Sequence, residues 1–423
     1  MLTSIVGINW GDEGKGRMVD LLCREAQVVV RYQGGSNGGH AIVNEMGRFV
    51  LNLLPSGILH PDIVCVMGNG MCIDPEHLEK EINGVREKGA EVSPRNLKIS
   101  DRAIVTMPYH ISIDNYEEER FGADKASATT RANAYVYGDK YLRKAIRMGD
   151  LRNPEYLANR LRGIVAYKTL EAEGMYHKQA VDYEEILNWA THYGKVFGDY
   201  ICDTGIYLTE AAAEGKHILF EAQLGALRDI DFGIYPYTSS SSTIAAYATI
   251  GAGVPALKLD RTIGVMKAFA SCLGEGPFVT ELHDEMAEEL RLAGDEYSVA
   301  SGRPFRLGAF DAVASRYGVR IQGASELALT KLDSLSFLDK IPVCVAYEIN
   351  GVRTTEFPVG ADLEMAKPVI EYVDGWHSDI SECRTAYDLP PAALTYVKYI
   401  EHLVGAKITY VSVGPQRNAY IKL

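Results

Sequence analysis

Two acidic residues stand inside a glycine-rich turn near the N-terminus, in the run Asn9-Trp10-Gly11-Asp12-Glu13-Gly14-Lys15-Gly16-Arg17. An apolar stretch precedes this run and a helical pattern follows it. A turn that opens a helix binds phosphate through backbone N–H groups and the helix dipole, and Lys15 would add a positive charge. Carboxylates repel phosphate, so Asp12 indicates a metal-binding or catalytic task. The run departs from the GxxxxGKS/T pattern, because Gly16 stands where a hydroxyl is expected.

Short apolar, β-branched runs between helical patterns predict the elements that position this turn. Several of these runs are apolar at consecutive positions, which is typical of parallel strands covered on both faces. The predicted strands are Thr3–Gly7, Gln27–Arg31, Ile63–Met67, His217–Phe220, Thr262–Ala268, Leu327–Thr330, Pro342–Tyr347 and Thr409–Val413. Helical patterns include Gly16–Glu25 and Pro391–Leu403, and residues 107–200 read as a mostly helical insertion. We therefore predict an α/β fold, in which a large, mostly parallel central sheet is flanked by helices within one domain over residues 1–423.

Composition excludes several classes of function. The 423 residues carry 43 Lys and Arg against 56 Asp and Glu, a formal net charge of −13, which argues against general nucleic-acid binding. The N-terminus lacks the features of a signal peptide, and no apolar stretch is long enough to span a membrane. Seven cysteines without a CxxC pattern favour the reducing cytoplasm. Any anionic ligand must therefore be held by a local device.

Motifs along nearly the whole chain identify a family. The run Trp10–Gly16 resembles the signature of the adenylosuccinate synthetase family, and Val30–His40 is similar to its RYQGG-x-N-AGH motif. Further matches follow in family order over residues 4–417: Phe220-Glu221, Asp229-Ile230-Asp231, Tyr235-Pro236-Tyr237, Gly276-Pro277-Phe278, Thr280-Glu281-Leu282, Thr330-Lys331-Leu332-Asp333 and Ser412-Val413-Gly414-Pro415. The resemblance implies a homodimeric ligase that uses GTP and Mg²⁺ to join aspartate to IMP through a 6-phosphoryl intermediate.

The resemblance assigns the catalytic steps to two side chains. Asp12 is implied to be the base that removes the N1 proton of IMP and to contact Mg²⁺. A carboxylate is competent for this if the charge that develops on O6 is stabilised. His40 is implied to be the electrophilic partner of O6 or of the transferred phosphoryl group. The carbonyl of Gly39 is implied to be a second Mg²⁺ ligand, which the small Gly38-Gly39 pair would allow.

GTP binding is implied for the phosphate loop and for two loops that follow strands. Asp333 can accept both the N1 and N2 protons of guanine, and adenine offers no such pair. Lys331 and Asp333 would stand at the carboxyl edge of the sheet, where α/β proteins bind ligands. The implied GTP-binding residues are Gly11, Glu13, Gly14, Lys15, Gly16, Arg17, Ala41, Lys331, Leu332, Asp333, Ser412, Val413 and Gly414.

The purine nucleotide and the amino acid are implied to bind between other loops. Thr129 and Arg131 offer a hydroxyl and a guanidinium fork to a phosphate, and Arg143 is implied to reach in from the partner subunit of a homodimer. The implied nucleotide contacts are Asn37, Gly38, Thr129, Arg131, Arg143, Gln223, Ser239 and Arg303. The implied amino-acid loop comprises Val299, Ala300, Ser301, Gly302, Arg303 and Phe305.

The chain departs from the family pattern in these same loops. The family's nucleotide loop reads roughly GTTGRGIGPAY, and residues 127–137 read SATTRANAYVY. The family's EGAQG becomes Glu221-Ala222-Gln223-Leu224-Gly225, so Leu224 replaces a glutamine for which Gln223 would have to substitute by a shifted register. Phe305 replaces an arginine, which removes a fork for a carboxylate. Cys272-Leu273 stands where the family favours Arg-Val.

Three functions remain open from the sequence. The chain is an ordinary synthetase in which Arg303 and Arg306 share the anion of aspartate, or a paralogue that uses the same GTP and Mg²⁺ chemistry with another amine donor or another 6-oxo purine nucleotide. A GTP-binding regulatory protein without turnover is the third alternative. The presence of Asp12 and His40 argues against this last one, because a binding protein needs no base inside its phosphate loop.

Overall fold

The computed structural model describes residues 1–121, 131–298 and 302–423. These residues form twenty β-strands and twelve α-helices. The strands are β1 Leu2–Gly7, β2 Val28–Arg31, β3 His40–Asn44, β4 Gly47–Leu51, β5 Val64–Met67, β6 Cys72–Ile73, β7 Leu97–Ser100, β8 Ile104–Val105, β9 Ile201–Cys202, β10 Ile218–Gly225, β11 Arg261–Lys267, β12 Ala270–Cys272, β13 Arg306–Gly308, β14 Phe310–Asp311, β15 Glu326–Thr330, β16 Lys340–Ile349, β17 Val352–Thr354, β18 Lys367–Asp374, β19 Ile408–Ser412 and β20 Tyr420–Lys422.

A ten-stranded sheet forms the centre of the fold, in the order β20-β19-β15-β11-β1-β10-β2-β5-β7-β9. All neighbours in this sheet run parallel except β20, which pairs antiparallel with β19. Alternate residues of one strand reach different parts of the core: Val29 packs in one apolar cluster, and Val28 and Val30 pack in another. Both faces are thus buried, and the predicted mostly parallel sheet is confirmed.

One predicted strand lies outside this sheet. The run Pro342–Tyr347 belongs to β16, which pairs parallel with β14 and antiparallel with β17 and β18 in a second sheet. The run is buried like a central strand, and burial alone does not show which sheet a strand joins. The other seven predicted strands are in the central sheet.

Helices cover the sheet, and several begin at a side chain that accepts a hydrogen bond from the first turn. Asp74 and Asn153 accept from the third residue after them, and a proline follows each. The helices are α1 Lys15–Leu22, α2 Pro75–Glu87, α3 Pro108–Phe121, α4 Asn133–Leu142, α5 Pro154–Tyr176, α6 Tyr183–Phe197, α7 Thr204–Ala213, α8 Ala248–Ala252, α9 Glu285–Gly294, α10 Ala312–Gln322, α11 Ala361–Met365 and α12 Pro391–Val404.

The helical insertion is confirmed, because α3 to α6 occupy most of the predicted stretch. The predicted helix over Gly16–Glu25 is shorter than expected: α1 ends at Leu22 and a 3-10 turn follows. In the described part of the chain, no helix is long and apolar enough to cross a membrane. That residues 1–423 form one domain stays a prediction.

Adjacent parallel strands bring the predicted loops to one edge. β1, β11, β15 and β19 are successive neighbours, and the carboxyl ends of parallel strands meet at the same edge of a sheet. The phosphate loop follows β1, Lys331 follows β15, and Val413 follows β19. The candidate site is therefore built at this edge.

Candidate active site

Glu13 braces the phosphate loop from inside. Its carboxylate, only 3% exposed, accepts the backbone N–H groups of Asn9 and Gly11 at 3.1 and 2.9 Å, and the Lys15 ammonium donates to it at 2.7 Å. Gly14 precedes α1 in the left-handed region, at φ 95°, which side chains rarely adopt. The loop thus contains its own anion, and an incoming phosphate has to compete with Glu13 for Lys15.

Asp12 also has a left-handed backbone, with φ 58°. Such strain in a residue other than glycine is typical of functional sites. The side chain is exposed to solvent, yet as much protein surrounds it as surrounds an interior group. The two observations together indicate that Asp12 lines a concavity. Burial raises the pKa of Asp12, and Lys267 and Lys15 oppose this rise. A carboxylate made more basic at a place that a ligand can reach suits a general base.

His40 opens β3 and is held by the buried Glu221. His40 Nδ1 bonds to Glu221 Oε1, and the Glu221 carboxylate also accepts the hydroxyl of Ser56 and, at 2.8 Å, its backbone N–H. An ionised carboxylate only accepts, so Nδ1 of His40 carries the proton and Nε2 is left for a ligand. Burial lowers the pKa of His40, whereas Glu221 raises it.

The glycine that breaks the expected phosphate-loop pattern is explained by this histidine. A Cβ on Gly16 would lie 2.9 Å from the Cβ of His40 and 3.2 Å from the hydroxyl of Ser56. A serine or threonine at position 16 would therefore collide with the histidine. The glycine brings the start of α1, and with it the phosphate loop, against His40.

Asp333 keeps one carboxylate oxygen unpaired. Its Oδ1 atom is buried and has no hydrogen-bond partner among the residues that the structure describes, and burial raises the pKa of the carboxyl. An unpaired buried acceptor is destabilising unless a ligand pairs with it. The neighbouring Lys331 has a left-handed backbone, φ 63°, and donates from Nζ to the carbonyl of Gly294.

Arg17 ties the phosphate-loop helix to the second guanine loop. Its guanidinium donates to the Ser412 hydroxyl at 3.2 Å and to the carbonyl of Gly414 at 2.7 Å, and it lies 4.9 Å from the ring centre of Tyr420. The two guanine loops are tied as well, because the N–H of Leu332 donates to the Ser412 carbonyl at 3.2 Å. Arg17 is thus engaged by the protein itself.

A bulge in β10 redirects the side chains of its last residues. Ile5 of β1 pairs with Glu221 of β10, and Gly7 of β1 pairs with Gly225 of β10. Two residues along β1 therefore correspond to four residues along β10. Bulges of this kind re-aim side chains near active sites. Leu224 has φ 63° here, and Gln223 donates from Nε2 to Asn37 Oδ1 at 2.6 Å.

The nucleotide loop is described only in part. Thr129 lies outside the described residues, whereas Arg131 and Arg143 are exposed. Arg143 ends α4 in the left-handed region, at φ 62°. Ser239 shares a hydrogen bond of 2.8 Å with the hydroxyl of Ser241.

The amino-acid loop is closed at its base by two backbone hydrogen bonds, from Ser298 N to Arg303 O at 2.8 Å and from Gly302 N to Ser298 O at 2.7 Å. Arg303 and Gly302 are exposed, and the predicted residues Val299, Ala300 and Ser301 lie outside the described residues. Phe305, in contrast, is buried, and the Lys267 ammonium lies 4.9 Å from the centre of its ring.

The cations around this loop are already paired. Arg306 donates to both oxygens of Glu281 and to the carbonyls of Gly274 and Gly276. The suggestion that it shares an aspartate with Arg303 would require breaking this pair.

Cys272 has a guanidinium beside it in spite of the missing arginine. Arg228 donates from Nη2 to Cys272 Sγ at 3.1 Å and to the Leu273 carbonyl at 2.7 Å.

Magnesium would have few protein ligands at this site. In the described ranges, no three His, Cys, Asp or Glu side chains are grouped so that they could hold a metal ion. Asp12 is exposed, and a Cβ on Gly39 would meet only Val50, at 3.9 Å. Mg²⁺ prefers oxygen ligands and is commonly bound through one or two protein oxygens together with substrate phosphates. A carboxylate and an accessible carbonyl fit that role. Ala41, the second residue after the Gly38-Gly39 pair, is half-buried in β3.

The sequence alone did not identify the residues that hold the predicted site residues in place. Glu221 was recognised only as part of a motif, although a glutamate within the apolar run Ile218–Ala222 demands a partner. Lys267 donates to the Glu296 carboxylate at 2.6 Å and to the Ser271 hydroxyl at 2.7 Å, with all three side chains buried. A buried lysine at the end of a central strand was the signal that could have identified it.

Comparisons with known proteins agree with one another. The family model described as adenylosuccinate synthetase matches residues 4–421. The adenylosuccinate synthetase of Caldanaerobacter subterraneus subsp. tengcongensis is 45% identical over 423 residues, which cover 100% of this chain and 99% of that protein. That of Heliobacterium modesticaldum is 44% identical, covering 99% and 98%. The solved structure of the fully ligated enzyme from Plasmodium falciparum superposes with a TM-score of 0.93 at 32% identity, covering 100% of this chain and 99% of that one.

Proposed function

The chain belongs to the adenylosuccinate synthetase family of GTP-dependent ligases, and we propose that Asp12 and His40 catalyse its joining of aspartate to IMP. The observation that carries this assignment is the contact between the phosphate loop and the histidine. Gly16 lets the loop approach His40 so closely that a Cβ would lie 2.9 Å from the Cβ of the histidine. The carboxylate inside the loop and the Glu221-held imidazole are thus parts of one assembly.

The first step is transfer of the GTP γ-phosphoryl group to O6 of IMP. Asp12, made more basic by its surroundings, takes the N1 proton, and the electron pair of the N1–H bond increases the charge on O6. O6 then attacks the γ-phosphorus and the bond to GDP breaks. In the imidazolium form, which Glu221 stabilises, the Nε2–H of His40 donates to O6 or to the phosphoryl oxygens as the charge develops.

The second step is displacement of phosphate by an amine. The aspartate nitrogen attacks C6, the bond from C6 to the phosphorylated oxygen breaks, and inorganic phosphate leaves as the nitrogen loses its proton. Arg303 is exposed on the amino-acid loop and is the side chain that we assign to the carboxylate of the donor. Phosphate is a far better leaving group than oxide, so the first step makes the second possible.

We assign the Mg²⁺ site to the Asp12 carboxylate and the Gly39 carbonyl. When bound there with GTP, the ion would neutralise charge on the phosphates. The remaining contacts to GTP would come from Lys15, once phosphate displaces Glu13, and from Asp333 at the guanine.

The homodimer is also a proposal. Arg143 is exposed in a left-handed conformation, beside the apolar side chains of Tyr141, 77% exposed, and Leu142, 56% exposed. Exposed apolar groups next to a cation suit a subunit contact. If Arg143 completes the partner's site, then mixing and refolding Asp12→Asn with Arg143→Leu should restore activity, because each heterodimer has one intact site. Random assembly predicts recovery of about a quarter of wild-type activity, whereas independent sites predict none.

One observation favours a different amine donor. Phe305 is buried and Arg306 is paired with Glu281, so the donor loop offers fewer free cations than the family pattern. A screen that crosses IMP and GMP with a panel of amino acids, and that follows GTP hydrolysis, tests both functions. IMP with aspartate is the expected productive pair. Turnover with another amine, and none with aspartate, would establish the alternative.

The compartment is proposed on the thiols. All seven cysteines are unpaired, and five of them are buried. Free thiols throughout a chain are typical of the reducing cytoplasm.

A further inference from the structure

Three departures from the family pattern meet at one side chain. Gln223 stands where the family's EGAQG has alanine, Asn133 stands where GTTGRGIGPAY has isoleucine, and Gly38 stands where RYQGG-x-N-AGH has alanine. These positions are far apart in the sequence. In the structure, all three surround Asn37, a residue that the chain shares with the family pattern.

The carboxamide oxygen of Asn37 is fully occupied. Gln223 Nε2 and Asn133 Nδ2 both donate to Asn37 Oδ1, each at 2.6 Å. An amide oxygen has two lone pairs, so these two donors use its accepting capacity. Asn37 is half-buried, and among the described residues none accepts from its Nδ2. The amide is thereby fixed in one orientation and offers a ligand only N–H donors.

Gln223 is itself immobilised. Its side chain is 1% exposed, its Oε1 accepts from Arg31 Nη2 at 2.6 Å, and its backbone carbonyl accepts from Gln33 Nε2 at 2.6 Å. Arg31 is fully buried and also donates to the carbonyl of Asn52. The orientation of Asn37 is therefore set by a chain of buried hydrogen bonds that begins in the central sheet.

Gly38 and Gln223 are a matched pair. A Cβ on Gly38 would lie 2.5 Å from both Cδ and Nε2 of Gln223, which is closer than atoms that are not bonded to each other approach. Gly38 is not in the left-handed region, so an alanine would suit the backbone, and the three atoms nearest to its Cβ would all belong to Gln223. An alanine at position 38, as in the family pattern, is therefore compatible with a small residue at position 223. The glutamine at position 223 in this chain is compatible with a glycine at position 38.

Asn133 is present in spite of a cost. Its Oδ1 is buried and has no hydrogen-bond partner within the described part of the chain, which is destabilising. Tyr137, one turn later in α4, anchors the helix by donating to the Gly70 carbonyl at 2.7 Å and accepting from Gly34 N at 3.0 Å. The helix is thus held firmly enough to keep the Asn133 amide on Asn37.

We propose that Gly38, Asn133 and Gln223 form a coupled unit that locks Asn37 as a hydrogen-bond donor to an anionic oxygen of the purine nucleoside monophosphate. The unit consists of positioning residues. Its ligand is the nucleotide phosphate, whose oxygens only accept when ionised. The inference rests on the proposed function for the identity of this ligand.

Gly38→Ala and Gln223→Ala, alone and combined, test the coupling. Gly38→Ala alone should push Gln223 from its place and weaken IMP binding about tenfold or more, a loss within the range of coupling between residues in contact. Gln223→Ala removes the three atoms nearest to that methyl, which all belong to the glutamine side chain, so the double variant should bind IMP no more weakly than Gln223→Ala alone. Calorimetric titration with IMP measures the dissociation constants, and KM for IMP should follow them while KM for GTP stays constant.

Gly84→Ala is the control for an added methyl group, because a Cβ there meets nothing within 4 Å and Gly84 is not among the proposed site residues. Thermal unfolding of every variant excludes misfolding as the cause. If the fold-losses in IMP affinity of the two single variants multiply in the double variant, the two residues act independently and the coupling is overturned. Asn133→Ile, which restores the family residue, should raise the IMP dissociation constant as well, and an unchanged constant would remove Asn133 from the unit.

The wild-type protein separates this inference from the proposed function. If it binds IMP with the predicted coupling but turns over only with another amine, the proposed reaction fails and the unit stands. If it joins aspartate to IMP and the double variant shows no coupling, the unit alone is wrong.

Discussion

At the proposed guanine end and at the proposed amine-donor end of the site, charged groups are paired differently. At the guanine end, Asp333 keeps a buried oxygen that has no hydrogen-bond partner among the described residues, so that a ligand has to supply one. At the donor end, Arg306 is paired with Glu281 and Lys267 with Glu296, so the cations are satisfied before any ligand arrives. An unpaired buried group predicts strong discrimination between ligands, because the wrong ligand leaves it unpaired. Groups that are already paired within the protein predict that the site tolerates different ligands.

The phosphate loop combines both arrangements. Glu13 satisfies Lys15 internally, whereas Asp12 is exposed in a strained conformation with its pKa raised by burial. We therefore expect the unpaired groups to act on ligands and most paired groups to support them; His40, which is proposed as catalytic and is paired with Glu221, combines both. Substitutions at each kind of position test whether this division holds.

Replacing the base should have the largest effect. Asp12→Asn keeps the shape of the side chain but cannot take a proton, so turnover should fall by about a thousandfold, within the range for loss of general acid–base catalysis. Single-turnover kinetics measures the rate of the reaction, and titration with GTP measures GTP binding. GTP should still bind, because Lys15 and Asp333 are unchanged. Turnover within a few fold of wild type would show that another group removes the N1 proton.

Removing the charge that supports His40 should have the next effect, and it should depend on pH. Glu221 raises the pKa of His40 against the lowering effect of burial. Glu221→Gln should therefore lower this pKa, so that the imidazolium is lost at a lower pH. The alkaline limb of the kcat profile should move to lower pH, with about a hundredfold loss near neutrality.

A substitution next to Glu221 that keeps the charge of its carboxylate is the control for Glu221→Gln. Ser56→Ala removes one hydrogen bond to Glu221 and keeps the charge, so the alkaline limb should move much less. An alkaline limb that stays in place in Glu221→Gln would mean that the imidazolium is not required.

The guanine end should lose discrimination when its carboxylate is changed. Asp333→Asn replaces one acceptor by a donor, so the preference for GTP over ATP should fall by about a hundredfold. The same variant should gain activity with XTP, because the C2 oxygen of xanthine accepts where guanine donates. Competition assays with the three nucleotides measure both changes. A variant that gains nothing with XTP would show that Asp333 does not face the base.

The sequence predicted the fold, whereas the roles of the site residues stay predictions. Consecutive apolar positions were sufficient for the central sheet, and motif order singled out Asp12, His40 and Asp333 as candidates. The partners were out of reach, since Glu221 and His40 lie 181 residues apart in sequence and only the sheet brings them together. The bulge in β10 was equally hidden, because an insertion that changes register leaves no mark in hydrophobic pattern.

Phe305 offers the weakest but most direct test of the donor end. The sequence alone marks it as a lost arginine, whereas the structure buries it in the core with Lys267 above its ring. Phe305→Arg should therefore place a cation among apolar groups, beside an existing ammonium. We expect a loss of about 3 kcal/mol in the free energy of unfolding, measured by denaturant titration, and no decrease in KM for aspartate. Phe305→Leu keeps the site apolar and should cost about 1 kcal/mol. If the arginine instead lowers KM for aspartate, then position 305 reaches the donor, and the missing cation is the cause of any altered specificity.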